Sequence, residues 1–106
     1  MRAVVQRVKK SRVTVDDKIT GEIGRGLMVL IGVEEGDTDA DAAYIAKKVS
    51  ALRVFDDAEG VMNLNIKDAG GEILAVSQFT LLGDVRKGNR PSYFTAAGPD
   101  EANAIY

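Results

Sequence analysis

The chain predicts a single α/β domain, and three observations carry that expectation. The opening "MRAVVQRV" alternates in the manner of a strand, with Ala3, Val5 and Arg7 on one face and Val4, Gln6 and Val8 on the other. "GLMVLIGV", Gly26 to Val33, is apolar at nearly every position and too short for a comfortable helix, which fits a strand covered on both faces. "DADAAYIAKKVSAL" then switches period, with Ile45, Val49 and Leu52 at i, i+4 and i+7 and Ala42 and Ala46 beside them. At 106 residues there is room for one core and one domain, spanning 1–106.

The remaining elements follow in order. After Lys9-Lys10-Ser11, Val13 and Val15 continue the strand period, and "DDKITGEIG" reads as a turn leading into a short strand. Thr38 or Asp37 suits the N-cap of the helix, Asp39 and Asp41 suit its positive end, and Lys47, Lys48 and Arg53 come towards its negative end. "VMNLNI" is a short strand between Asp-, Asn- and Gly-rich turns, and Ala69-Gly70-Gly71 is a tight turn into a strand from Glu72 to about Leu82. Pro99, Asp100 and Glu101 open a second helix that has run two turns when the chain reaches Tyr106. A helix that short is marginal alone, so the expectation is the front part of a longer domain.

Composition excludes several chemistries. With no histidine and no cysteine, the commonest general base, the usual triads, disulfides and zinc sites are all absent. No metal and no cofactor are expected. A net charge of −2 carries no global signal for nucleic acid, so any such contact needs a local basic patch. No apolar run is long enough to span a membrane and the N-terminus lacks a signal-peptide core, so a soluble cytoplasmic protein without a membrane partner is expected.

The chemistry concentrates in "AVSQFTLLGDVRKGNRPSYF", Ala75 to Phe94. On a continuous strand Ser77, Phe79 and Leu81 share one face and Gln78, Thr80 and Leu82 the other. Polar groups therefore enter only near the C-terminal end, the usual place for a site in α/β sheets. Each hydroxyl alone is equally explained as a buried group bonded to a neighbouring carbonyl. The cationic loop Arg86, Lys87 and Arg90 is either a solvated turn or a phosphate contact, and Tyr93 and Phe94 are either core or a platform for a base.

"SQFTL", Ser77 to Leu81, followed by "GDVRKGNRPSYF", Gly83 to Phe94, resembles the signature of the D-aminoacyl-tRNA deacylases. "MRAVVQRV", "GLMVLIGV" and "RVFDD" resemble that family's other segments in the same order, so the resemblance covers essentially the whole chain. It implies a mixed-sheet, barrel-like α/β subunit with helices packed on the sheet, acting as a homodimer with the site at the dimer interface. It also implies hydrolysis of the ester joining a D-amino acid, or glycine, to the 3′-terminal adenosine of tRNA, a proofreading step that frees the tRNA. By resemblance Ser77, Gln78, Phe79 and Thr80 line the pocket. Thr80 is then either a nucleophile or a bystander to main-chain groups and the substrate's own 2′-hydroxyl. The missing histidine and cysteine favour the second. Arg7 matches an arginine that supports the chirality-selecting loop, and Arg86, Lys87 and Arg90 would lie near the tRNA end.

The family also carries a C-terminal Gly–cis-Pro motif that rejects L-amino acids in the partner's pocket. Gly98-Pro99 lies before the last helix, in another context, and does not take that role. The alternatives are a non-catalytic nucleic-acid-binding or dimerisation module on the same scaffold, or an inactive fragment.

Overall fold

The computed structural model describes residues 1–106 and contains seven strands, two helices and one 3-10 turn. The strands are β1 (Arg2–Val8), β2 (Ser11–Val15), β3 (Lys18–Ile23), β4 (Gly26–Gly32), β5 (Phe55–Asp56), β6 (Met62–Leu64) and β7 (Glu72–Ser77); the helices are α1 (Asp39–Ala51) and α2 (Pro99–Ile105). As the apolar run predicts, β4 is central. It pairs antiparallel with β1 and parallel with β7, giving a mixed sheet in the order β1-β4-β7. Hairpins β2-β3 and β5-β6 form two smaller ribbons.

Two glycines let neighbouring backbone come close to β4. A Cβ on Gly26 would lie 1.8 Å from the Glu72 carbonyl oxygen, where β7 begins its pairing. A Cβ on Gly32 would meet the Leu81 Cβ at 3.1 Å and the Gln78 carbonyl oxygen at 3.2 Å, where the chain crosses the other end of the strand.

Helix α1 packs on one side of the sheet, and Val49 joins Leu27, Val29, Phe55 and Ile66 in the buried cluster, with Ile45 packed against it. Thr38 is the N-cap, and the Asp41 carboxylate accepts from the Thr38 N–H at 2.8 Å and from its hydroxyl at 3.2 Å. Those hydrogen bonds hold Asp41 below its ordinary carboxyl pKa, the Thr38 backbone N–H first. Asp37 does not cap the helix. It binds the N-terminal ammonium of Met1 at 2.7 Å and accepts from the Glu34 N–H at 2.7 Å, tying the start of β1 to the loop after β4. Helix α2 begins with Gly98 as N-cap and Pro99 at the first position, as expected, and Tyr106 donates its phenol to the Ala75 carbonyl at 2.5 Å.

One expectation fails. The strand does not run from Glu72 to Leu82: β7 ends at Ser77, and Phe79–Leu82 form a 3-10 turn. Alternation therefore stops at Ser77, and Gln78, Thr80 and Leu82 share no strand face. The turn wins because Leu82 falls into the interior, 1% exposed, while Phe79 stays 55% exposed. Gly32 leaves room for Leu81 to cross β4.

Candidate active site

The motif Ser77–Thr80 sits at the C-terminal ends of the parallel pair β4 and β7. Ser77 is in register with Ile31, and the Gln78 N–H extends the ladder one residue by donating to the Ile31 carbonyl at 2.7 Å. The chain then turns, with Leu81 N–H bonded to the Gln78 carbonyl at 3.4 Å and Gly83 N–H to the Thr80 carbonyl at 3.1 Å. Phe79 and Thr80 open the turn, so helical geometry supplies their N–H groups with no acceptor inside it. Two adjacent donors at an exposed strand end suit a developing oxyanion.

The side chains provide little basicity. Gln78 Nε2 lies 2.5 Å from the Thr80 hydroxyl and donates to it. An amide is not a base near neutral pH in either orientation, so this contact orients the hydroxyl without activating it. No carboxylate or lysine forms a hydrogen bond with Ser77 or Thr80.

Arg2 is a residue that the sequence did not single out. Its Nη1 donates to the Leu81 carbonyl at 3.1 Å, closing the open end of the 3-10 turn. The partners are 79 positions apart, so no local pattern could reveal the contact. Phe79 is braced by Tyr93, edge to face at 5.2 Å between ring centroids.

Beyond the turn, paired backbone bonds of 2.8 Å between Asp84 and Ser92 close the base of the cationic loop. The three cations differ. Arg86 is chelated by Asp84, with Nε at 3.0 Å from Oδ1 and Nη2 at 2.6 Å from Oδ2. The Arg86 side-chain bonds, then its backbone N–H, lower the Asp84 carboxyl from its ordinary 3.8 to about 2, and Arg86 is raised in turn. Lys87 and Arg90 form no ion pair and border a basin of about 540 Å³ with Asn89, Ser92 and Phe94.

Arg7 is elsewhere. It pairs with Leu27 and hence lies level with Ile73, four residues along β7 from Ser77, or about 13 Å at strand spacing. Its guanidinium donates to the Val54 carbonyl at 2.8 Å and approaches Asp56 at 3.8 Å. One chain thus gathers Ser77, Gln78, Phe79 and Thr80 beside the loop of Arg86, Lys87 and Arg90, and leaves Arg7 apart.

An apolar cavity lies away from this motif. A groove of about 610 Å³ runs between α1, the β4–β7 face and the end of α2, lined by Ile31, Ile45, Ile73 and Tyr106 among others. Apolar groups dominate its wall, and it has no convergent polar set. Neither this groove, the basin beside the cationic loop nor three smaller cavities are lined by a residue of the Ser77–Thr80 motif. No cluster of acidic side chains is arranged to hold a metal ion.

Comparison with known proteins places this geometry in a family. The family model described as D-Tyr-tRNA(Tyr) deacylase matches residues 4–106. The D-aminoacyl-tRNA deacylase of Desulforamulus reducens is 58% identical over 106 residues, covering 100% of this chain and 71% of that protein. That of Geobacter sulfurreducens is 56% identical, with 100% and 70% covered. A solved structure titled c-Myc DNA Unwinding Element Binding Protein superposes with a TM-score of 0.92 at 41% identity, covering 100% of this chain and 71% of that one. A probable eukaryotic D-amino acid tRNA deacylase shares the fold, with a TM-score of 0.77 at 22% identity, over 98% of this chain and 61% of its own. The chain belongs to the D-Tyr-tRNA(Tyr) deacylase family.

Proposed function

We propose that the chain hydrolyses the ester between a D-amino acid and the 3′-terminal adenosine of tRNA, releasing free tRNA and the D-amino acid. Glycine mischarged on another tRNA is a second substrate of the same chemistry. The observation that carries this reading is the whole-length match to the deacylases, with "SQFT" at the paired C-terminal ends of β4 and β7. The alternative of a non-catalytic nucleic-acid-binding or dimerisation module is not favoured, because relatives 55–58% identical carry the deacylase name.

In the mechanism, Phe79 and Thr80 N–H groups hold the ester carbonyl oxygen. Water attacks the carbonyl carbon and gives up a proton with help from the neighbouring ribose 2′-hydroxyl. The tetrahedral adduct then breaks its bond to the ribose 3′-oxygen, which leaves with a proton as the tRNA hydroxyl. Ser77 and Gln78 shape the wall, and Thr80 fills space and orients the amide. The absence of a base at the Thr80 hydroxyl supports this division of labour.

The active form is a homodimer working in the cytoplasm. Support comes from the exposure of Phe79 and Ile73, 55% and 42%, and from the motif's lying outside both the apolar groove and the cationic basin of one chain. No helix is long and apolar enough to cross a membrane. In the dimer Arg7 supports the chirality-selecting loop, while Arg86, Lys87 and Arg90 face the tRNA end, Arg86 through its pairing with Asp84. Release of D-tyrosine from D-Tyr-tRNA above the uncatalysed rate tests the reading, and a rate equal to the blank overturns it. Light scattering of the eluting protein tests the dimer, and a monomer mass at working concentration overturns that part.

A further inference from the structure

The loop after the 3-10 turn carries a feature that ester hydrolysis does not require. Tyr93 and Phe94 are adjacent and take opposite roles. Tyr93 packs edge to face on Phe79 of the motif, whereas Phe94 is 86% exposed, the most exposed of the chain's large apolar side chains. Phe94 is also the one hydrophobic residue lining the basin of about 540 Å³, and every other lining residue is polar, charged or glycine. That volume lies within the roughly 300–1,000 Å³ of ordinary ligand sites.

Charge in the basin is arranged unevenly. Asp84 is already committed to Arg86 through the chelate at 2.6 to 3.1 Å, so it does not neutralise its other neighbours. Lys87 and Arg90 remain as unpaired cations, and Asn89 and Ser92 add neutral donors and acceptors. A free phosphate would use the cations and leave Phe94 in water. A neutral aromatic ligand would use Phe94 and leave the cations idle. A nucleotide uses both, its base on the ring and its phosphates on the ammonium and guanidinium.

The geometry points to a stacking-and-phosphate subsite for single-stranded RNA, with Phe94 as the base platform and Lys87 and Arg90 as the phosphate contacts. It rests on the deacylase reading for its occupant, an unpaired nucleotide of the tRNA acceptor end preceding the terminal adenosine. The Phe79–Tyr93 contact sets the residue preceding Phe94 against the motif, so the basin neighbours the ester site.

Fluorescence anisotropy of a 5′-labelled single-stranded RNA ending in CCA, titrated with the 106-residue chain at several salt concentrations, tests this. Phe94→Ala is expected to weaken binding roughly 5- to 150-fold, the range for loss of one stacked base, without changing the salt slope. Phe94→Tyr is expected to keep most of the affinity, which separates stacking from misfolding. Replacing Lys87 and Arg90 together by Ala is expected to reduce the slope of log K against log salt by about 1.4, two single-strand phosphate contacts. Absence of RNA binding by the unmutated chain, or undiminished binding by Phe94→Ala, overturns the subsite.

Hydrolysis of the D-tyrosyl ester of adenosine, which has no preceding nucleotide, is measured on the same preparation. Ester cleavage with Phe94-independent RNA binding overturns the subsite and leaves the deacylase reading intact. Phe94-dependent binding with no ester cleavage supports the subsite and counts against the deacylase reading.

Discussion

The Gln78 side-chain amide stands 2.5 Å from the Thr80 hydroxyl, and this pair decides what kind of hydrolase the site can be. A nucleophilic threonine needs a group to take its proton. If that were the missing element, Gln78→Glu would supply a carboxylate at the hydroxyl and raise the rate. In a site built on N–H donors, a new negative charge opposes the developing oxyanion. Gln78→Glu is therefore expected to lower D-ester hydrolysis by about tenfold or more at neutral pH, measured by release of labelled D-tyrosine.

Gly32 and Leu82 hold the turn that carries the donors. A methyl at position 32 would press on Leu81 at 3.1 Å and on the Gln78 carbonyl at 3.2 Å, and that carbonyl also accepts the Leu81 N–H of the turn. Gly32→Ala is expected to destabilise the fold by about 1–3 kcal/mol, the usual range for overpacking. Urea unfolding followed by circular dichroism reads this directly, and D-ester hydrolysis should fall with it.

Leu82 is 1% exposed at the end of the same turn. Leu82→Ala removes a buried side chain and leaves a cavity, with an expected loss of about 2–5 kcal/mol. The same urea assay checks it, and an unchanged midpoint would mean that the turn is not anchored there.

The Asp84–Arg86 chelate sets a pH response in the cationic loop. The Asp84 carboxyl is lowered from 3.8 to about 2 in the folded chain, first by the Arg86 side chain. A depressed carboxyl contributes stability above its unfolded pKa and loses it as pH falls through the folded one. The chelate is therefore expected to stay closed from neutral pH down to about 4 and to open between about 4 and 2. The side-chain carboxyl shift of Asp84, followed by NMR, should titrate near 2, and Arg86→Gln should return it towards the ordinary range. Both groups are exposed, so the effect concerns loop shape more than global stability.

The sequence made some of this legible and hid the rest for identifiable reasons. Helix α1 and central β4 were readable because burial imposes a period, and Thr38, Asp41 and Pro99 mark helix starts by local chemistry. The end of β7 near Ser77 was readable from where polar groups enter the "AVSQFT" run. The 3-10 turn was not, since "SQFTLL" satisfies strand alternation and only the crossing over Gly32 breaks it. Arg2 and Arg7 act on carbonyls 79 and 47 residues away, a relation that only the folded sheet creates. Asp84 and Arg86 are two positions apart, and their mutual neutralisation separates Arg86 from Lys87 and Arg90 within one basic run.

The most direct test of the central claim, that reactivity resides in main-chain donors and substrate, is deacylation of D-Tyr-tRNA and L-Tyr-tRNA by this chain and by Thr80→Ala. The account predicts cleavage of the D-ester, with Thr80→Ala keeping the rate within about tenfold, far from the roughly 10⁴- to 10⁶-fold collapse that follows removal of a nucleophile. A collapse of that size with the fold intact would make Thr80 the nucleophile and contradict the account. Cleavage of neither ester by the unmutated chain would contradict the proposed activity itself.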